Sequence, residues 1–174
     1  MSLPESLDVE NALIFFHAYM YGPLQGKIRL YRARGLHPRM AMFEDWEVFA
    51  SILVRDPGKP SMSGLDLEQY EVKSVQGTNS FEYQYHRNSW QEKLAADLGA
   101  GHIFISHRDS LKFVEVRHCN GLDLADHFGK WKDEQPYSRP GTQRFRRGIG
   151  HAVVIERGTL LLRIEDGEAT YIYV

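Results

Sequence analysis

Three residues in one short segment could do chemistry together: Asp66, Glu71 and Lys73, within Gly64-Leu65-Asp66-Leu67-Glu68-Gln69-Tyr70-Glu71-Val72-Lys73-Ser74. On a strand, residues two apart share a face, so Glu71 and Lys73 project together while Val72 turns inward. Asp66, at the preceding turn, can bring its carboxylate beside Glu71. Two carboxylates and a main-chain carbonyl make a hard-oxygen pocket suited to Mg²⁺, which keeps waters for substrate and nucleophile. A lysine alongside can orient or deprotonate an attacking water and neutralise charge on a phosphorane-like transition state. Metal-assisted phosphodiester hydrolysis uses those components. On spacing alone, an ion pair on a solvated strand face is the simpler account of Glu71-Val72-Lys73. Asp56, before Pro57-Gly58, competes with Asp66 for the place of first carboxylate.

A polar-aromatic segment follows, Phe81-Glu82-Tyr83-Gln84-Tyr85-His86-Arg87-Asn88. Read as a loop, its residues from Tyr83 to Asn88 carry the side chains that read base edges. Gln and Asn make paired bonds to adenine, Arg pairs with guanine, and His or Tyr donates to base acceptors. The bland alternative has Tyr83 and Tyr85 packing on a sheet while the rest stay wet. His102, His107, His118 and Cys119 show no zinc-ligand spacing, and His102 and His107, five apart, would face opposite ways on a strand. Cys119 beside His118 reads as a core thiol. As the only cysteine it makes no internal disulfide, which points to a reducing compartment.

The chain has 174 residues, with 21 basic and 23 acidic side chains giving a net charge of −2. Hydrophobic residues at 43% and aromatics at 12% suffice for a core and exclude a disordered chain. The charge is unevenly spread. Lys27, Arg29, Arg32, Arg34 and Arg39 form one basic run; Lys130, Lys132, Arg139, Arg144, Arg146 and Arg147 form another. Acids gather at 44–47 and 66–71. Such segregation suits a protein that grips phosphates and holds metal ions, although charge runs are as often solvated faces. The acidic N-terminus lacks a signal-peptide pattern, and no apolar run is long enough to span a bilayer. A soluble, cytoplasmic protein is expected.

The elements that must position these residues can be read in outline. Val9, Leu13, Phe16 and Met20 fall at helical spacing, with Gly22-Pro23 as the expected stop. Gly26–Arg34 is either a second helix or its continuation. Met42, Trp46, Phe49, Ala50 and Leu53 mark one face of another helix, ended by Asp56-Pro57-Gly58. Tyr70, Val72 and Val75 give the first strand signal. Ser89-Trp90-Gln91-Glu92 is a capping-box pattern opening a helix to Leu98. His102–Ile105 and Phe113–Val116 read as strands around Arg108-Asp109-Ser110, and Leu122–Trp131 as a helix. His151–Ile155, Thr159–Ile164 and Ala169–Val174 read as a closing meander of three strands, with Asp166-Gly167 a hairpin turn. The expected class is α/β, more fully an α+β mixed sheet in a single domain over 1–174. N-terminal helices come first, a central mixed sheet follows, and a C-terminal β-meander closes the chain.

Tyr70-Glu71-Val72-Lys73-Ser74 resembles the active-site strand of the PD-(D/E)xK nuclease superfamily, and in particular that of its PvuII-like type II restriction endonucleases. The likeness continues in order. Phe81–Asn88 resembles the base-reading loop of those enzymes, which carries a phenylalanine, a histidine run and an asparagine. The following helix and Ile103-Phe104-Ile105 match the family's helix and next strand, and Leu122–Lys132 resembles a C-terminal segment ending in Lys-Trp. The resemblance spans roughly Phe43 to Lys132. The Asp66-to-Glu71 interval is shorter than the family's, and only His86 of the histidine run is kept.

The resemblance implies a restriction-endonuclease-like fold and a Mg²⁺-dependent endonuclease cutting double-stranded DNA as a homodimer. It implies Asp66 and Glu71 as metal ligands, Lys73 at the water, and Tyr83, Gln84, His86, Arg87 and Asn88 on the bases. Asp45, from an acidic pair on the early helix, would lie near the DNA. Residues 1–35, with Phe15, Phe16, Tyr19 and Tyr21, are the expected dimer seam. Two alternatives are a non-catalytic nucleic-acid-binding module on the same fold and a protein-interaction domain. The second would place Glu71 and Lys73 on a convex face, far from Asp66.

Overall fold

The computed structural model describes residues 3–35, 43–59, 64–134, 141 and 143–173. Arg39 and Arg139 of the two basic runs lie outside the described residues.

The N-terminal helix does not stop at Pro23. It runs as α1 (Val9–Phe15), a π-helical segment (Phe16–Tyr21) and α2 (Gly22–Arg32) without a break. Proline inside an α-helix loses a donor and collides with the carbonyl four residues back. Here the wider π turn absorbs it, and the Gly22 N–H bonds back five residues to the His17 carbonyl. A Cβ at Gly22 would sit 2.7 Å from that carbonyl oxygen, so the turn needs glycine. Gly26–Arg34 is therefore a continuation rather than a second helix. Helix α3 (Phe43–Val54) follows, where expected.

Five strands form the main sheet in the order β1-β3-β4-β6-β7: β1 (Tyr70–Gln76), β3 (Gly101–Arg108), β4 (Phe113–Asn120), β6 (Thr159–Glu165) and β7 (Glu168–Ile172). Only β1 and β3 pair in parallel, with Glu71 opposite His102. The crossover between them contains β2 (Phe81–His86) and α4 (Trp90–Gly99). A short 3₁₀ turn (Gly121–Leu124) leads into α5 (Ala125–Asp133). Strand β2 pairs antiparallel with β5 (Arg144–Ile149) as a separate two-stranded ribbon. The molecule is thus mixed α/β in the α+β sense expected. No helix among the described residues is long and apolar enough to cross a membrane.

Two elements differ from expectation. His151–Ile155 is not a strand but the start of helix α6 (His151–Arg157), bracketed by Gly150 and Gly158. Its Val-Val-Ile run favours a strand locally, yet only Val154 of α6 is fully buried, and a short apolar run does not fix its own period. The C-terminal strands reduce to the hairpin β6–β7, turning at Asp166-Gly167 as expected. The segment expected to be a base-reading loop is largely strand β2. Its residues alternate, with Phe81, Tyr83 and Tyr85 buried and Glu82 and His86 exposed.

The core lies on both faces of the main sheet. On one, α1 to α3 pack Phe16, Met20, Trp46, Phe49 and Leu53 against Val72, Ile103, Ile105 and Val116. On the other, the ribbon, α4 and α5 enclose Tyr83, Tyr85, Phe104, Phe128, Trp131 and Phe145. Within α1 and the π segment, Phe16 of the expected dimer seam is fully buried, so it belongs to the core. The exposed apolar side chains along this helix are Ile14, Tyr19 and Leu30.

Candidate metal and nucleic-acid site

Asp66 and Glu71 meet despite their short separation because the chain reverses between them. The Leu67 N–H bonds the Tyr70 carbonyl, and the reversal is tied to the end of α3 through Lys59 N–H to Asp66 O and Glu68 N–H to Pro57 O. The turn delivers Asp66 Oδ2 to the Val72 N–H at 2.8 Å. Asp56 plays a different part. It is buried, its Oδ2 accepts the Gln69 N–H at 2.8 Å, and it clamps the turn from behind. Of the two competing first carboxylates, Asp66 is the one that lies beside Lys73 and lines the cleft.

Lys73 stands at the centre. Its ammonium donates to Glu71 Oε1, to the Val72 carbonyl at 3.0 Å and to Asp66 Oδ2 at 3.4 Å. Its ammonium also lies 5.3 Å from the centre of the Tyr83 ring. Three oxygens from one short stretch of chain thus enclose a cation. A second lysine, Lys93 of α4, reaches the same Glu71 Oε1 at 2.7 Å and Asp97 Oδ1 at 2.8 Å. Glu71 is 2% exposed, and its other oxygen, Oε2, is buried with no hydrogen-bond partner.

The electrostatics follow from this crowding. Burial alone would raise Glu71, but the two lysines outweigh it and hold the carboxyl below its ordinary range. For Lys73 burial pulls the other way, and the charges of Glu71 and Asp66 win, keeping the ammonium firmly protonated. Burial raises Asp66, only partly offset by Lys73. Glu47 of α3 is also raised, first by burial and then by the negative charge of Asp66. Glu47, which the sequence reading did not single out, thus feels the charges of the site from α3. It stands one turn after Glu44, a spacing that could have singled it out.

These residues open into a cleft of about 480 Å³. Asp66, Glu71 and Lys73 form one side, Glu82, Gln84 and His86 of β2 another, and Glu92 and Lys93 of α4 a third. Of the expected base-reading residues, Gln84 and His86 line it. Arg87 and Asn88 are exposed in the turn leading to α4. Tyr83 does not join them: it is buried, its hydroxyl 2.8 Å from His102 Nδ1, so it faces the core rather than any groove. Pairing with β5 adds two residues that were seen only as part of a basic run. Arg146 lies opposite Gln84, with its Nε donating to Gln84 Oε1 at 3.1 Å, and Arg144 lies opposite His86. The alternation Arg144, Phe145, Arg146 was the available signal for this strand.

Behind the cleft runs a buried polar chain. The Tyr85 hydroxyl donates to Asp97 Oδ2 at 2.8 Å, and His102 Nε2 lies 2.7 Å from the Asp97 carbonyl. Burial and the charge of Glu71 push Asp97 up to about 6, and burial pushes His102 down to about 4. His102 and His107 face opposite sides of β3, the former against Tyr83 and the latter stacked on Trp46. Cys119 is a buried thiol, raised by burial to about 12.

Among the described residues, no group of three or more His, Cys, Asp or Glu side chains is placed to hold a metal ion. The donor set here is smaller, two carboxylates and one carbonyl, and all of it is oxygen. No family model matches the chain, and no curated protein matches it in sequence.

Proposed function

We propose that the protein is a Mg²⁺-dependent endonuclease of the PD-(D/E)xK kind that hydrolyses phosphodiester bonds in double-stranded DNA. One observation carries this reading: the Lys73 ammonium sits among Asp66 Oδ2, Glu71 Oε1 and the Val72 carbonyl, at the wall of a cleft bordered by a polar β-ribbon. A pocket that encloses one cation in hard oxygens suits another, and Glu71 keeps a buried oxygen, Oε2, without a hydrogen-bond partner.

Asp66, Glu71 and the Val72 carbonyl would hold the Mg²⁺. When bound, the ion supplies Lewis acidity and a more acidic water. The remaining work falls to the chain. Held protonated, Lys73 orients water and stabilises negative charge on the phosphate. Val72 N–H fixes the Asp66 carboxylate. The β2–β5 ribbon presents Gln84, His86, Arg144 and Arg146 from a two-stranded element of the width that enters a major groove. The convex face expected of the protein-interaction alternative is not what Glu71 and Lys73 occupy; they line a cleft beside Asp66. Cutting both strands calls for a homodimer, and the exposed Ile14, Tyr19 and Leu30 side chains give the N-terminal helix an apolar surface for it.

The test is incubation of supercoiled plasmid with Mg²⁺ and the wild-type or Glu71→Ala protein, with circular dichroism as the check on folding. Wild type should nick or linearise the plasmid and Glu71→Ala should not. A folded, active Glu71→Ala protein would falsify the site.

A further inference from the structure

Two lysines share one oxygen of Glu71, which is more than one buried charge needs. Their other partners differ. Lys73 also bonds Asp66 and a carbonyl at the cleft wall, all within the oxygen pocket. Lys93 bonds Asp97, whose side chain is fully buried and whose second oxygen is taken by the Tyr85 hydroxyl. Both lysines border the cleft, but Lys93 is anchored to its own helix through Asp97 and, through the Tyr85 hydroxyl on Asp97, to strand β2. An anionic phosphate entering the cleft would attract Lys73. Before an ion is in place, that movement would leave Glu71 charged and buried, a costly state unless Lys93 stays opposite it.

We propose that Lys93 is a positioning residue: it holds Glu71 in place so that Lys73 is free to turn to the phosphate of a bound substrate. This rests on the nuclease reading above and adds a residue to it. Lys93 acts through Glu71 and touches no phosphate. In Lys93→Met, Glu71 loses its tie to α4 and its fixed position, and turnover falls. In Lys93→Arg, the guanidinium can bridge Glu71 and Asp97, and much of the turnover returns. In Asp97→Asn the tether weakens and the loss is intermediate.

The experiment combines steady-state plasmid cleavage in Mg²⁺ with anisotropy of a labelled duplex in the absence of metal, at several salt concentrations. For Lys93→Met, kcat should drop about ten- to a hundred-fold, the usual cost of losing a group that orients a metal ligand. KM, duplex affinity and its salt slope should stay at wild-type values, and Lys93→Arg should recover activity. Wild-type kcat in a folded Lys93→Met protein overturns the proposal. So does a weakened duplex affinity with a salt slope lower by about one, which would make Lys93 a phosphate contact. Equal losses in Lys93→Met and Lys93→Arg, together with a lower Tm, would mark the residue as structural and overturn it too. An inert wild-type protein overturns the nuclease reading itself, and is told apart because the parent, not the variant, fails.

Discussion

The two faces of the main sheet are built on different principles. Against the helices, Phe16, Met20, Trp46, Phe49 and Leu53 meet the aliphatic side chains of β1, β3 and β4 in an apolar layer. Against the ribbon, aromatic rings are just as plentiful, but polar atoms thread between them. Lys93, Asp97, Tyr85, His102 and Tyr83 form a connected series running to Glu71. The first face is stabilised by removing apolar area from water and needs only shape. The second must satisfy every donor and acceptor it buries, so it specifies positions more tightly at greater risk. The candidate site stands on the second face because its carboxylates require fixed partners.

The contrast is broken most strongly from the apolar side. Phe49→Ala removes a fully buried ring packed on Phe16 and Trp46, and should cost about 3–5 kcal/mol in denaturant unfolding. Cleavage per folded molecule should hold at temperatures well below its lowered Tm. A loss under about 1 kcal/mol would mean the helix layer repacks freely and is not the stabilising half.

The ribbon side should instead answer to pH. His102 is held near 4 in the fold against 6.5 in the unfolded chain, so the stability it contributes is complete above 6.5 and lost as pH falls toward 4. Asp97 runs the opposite way. Its carboxyl protonates at about 6 in the fold against 3.8 unfolded, so it favours the fold as pH falls from 6 to 4. Unfolding in denaturant at stepped pH should therefore show His102→Phe losing less stability than wild type from 6.5 to 4, by up to a few kcal/mol. Asp97→Asn should lose more over 6 to 4. Parallel curves for all three proteins would mean the polar series does not titrate with folding.

The smallest effects on stability belong to the ribbon's outer face. Gln84→Ala and His86→Ala should change unfolding free energy by no more than about 0.5 kcal/mol. Each should nonetheless lower cleavage of the preferred sequence roughly tenfold, since a good base contact discriminates by about 1–3 kcal/mol. Arg146→Ala should reduce the salt slope of duplex binding by about one. Unchanged rates and sequence preference in the first two would leave the ribbon without a reading role.

Much of this arrangement was legible in the residues. The period-two pattern around Val72 put Glu71 and Lys73 on one face, and the helix over Ser89–Leu98 follows from its local signals. Ser89 makes no side-chain cap bond, so that helix begins without the reciprocal pair the pattern suggests. What sequence could not supply was pairing across long separations. The partner of β2 is β5, some sixty residues on, and only that pairing turns a loop into a ribbon and reveals Arg144 and Arg146. Lys93 was hidden for a similar reason. Its spacing from Asp97 reads as a surface helix pair, and nothing local says that both side chains turn toward Glu71. Asp56 and Asp66 could be separated only once the intervening chain was seen to fold back.

The π turn in the N-terminal helix has a consequence for phase. Ala12, Phe16, Met20, Leu24 and Ile28 are all buried, a strict interval of four. At 3.6 residues per turn an α-helix would carry such a row around its surface by roughly 160° between the first and the last. The row would begin on the sheet and end in solvent. The wider turn at Phe16–Tyr21 takes up part of that rotation, much as a stutter resets the seam of a coiled coil, and keeps one edge of a long helix on the core.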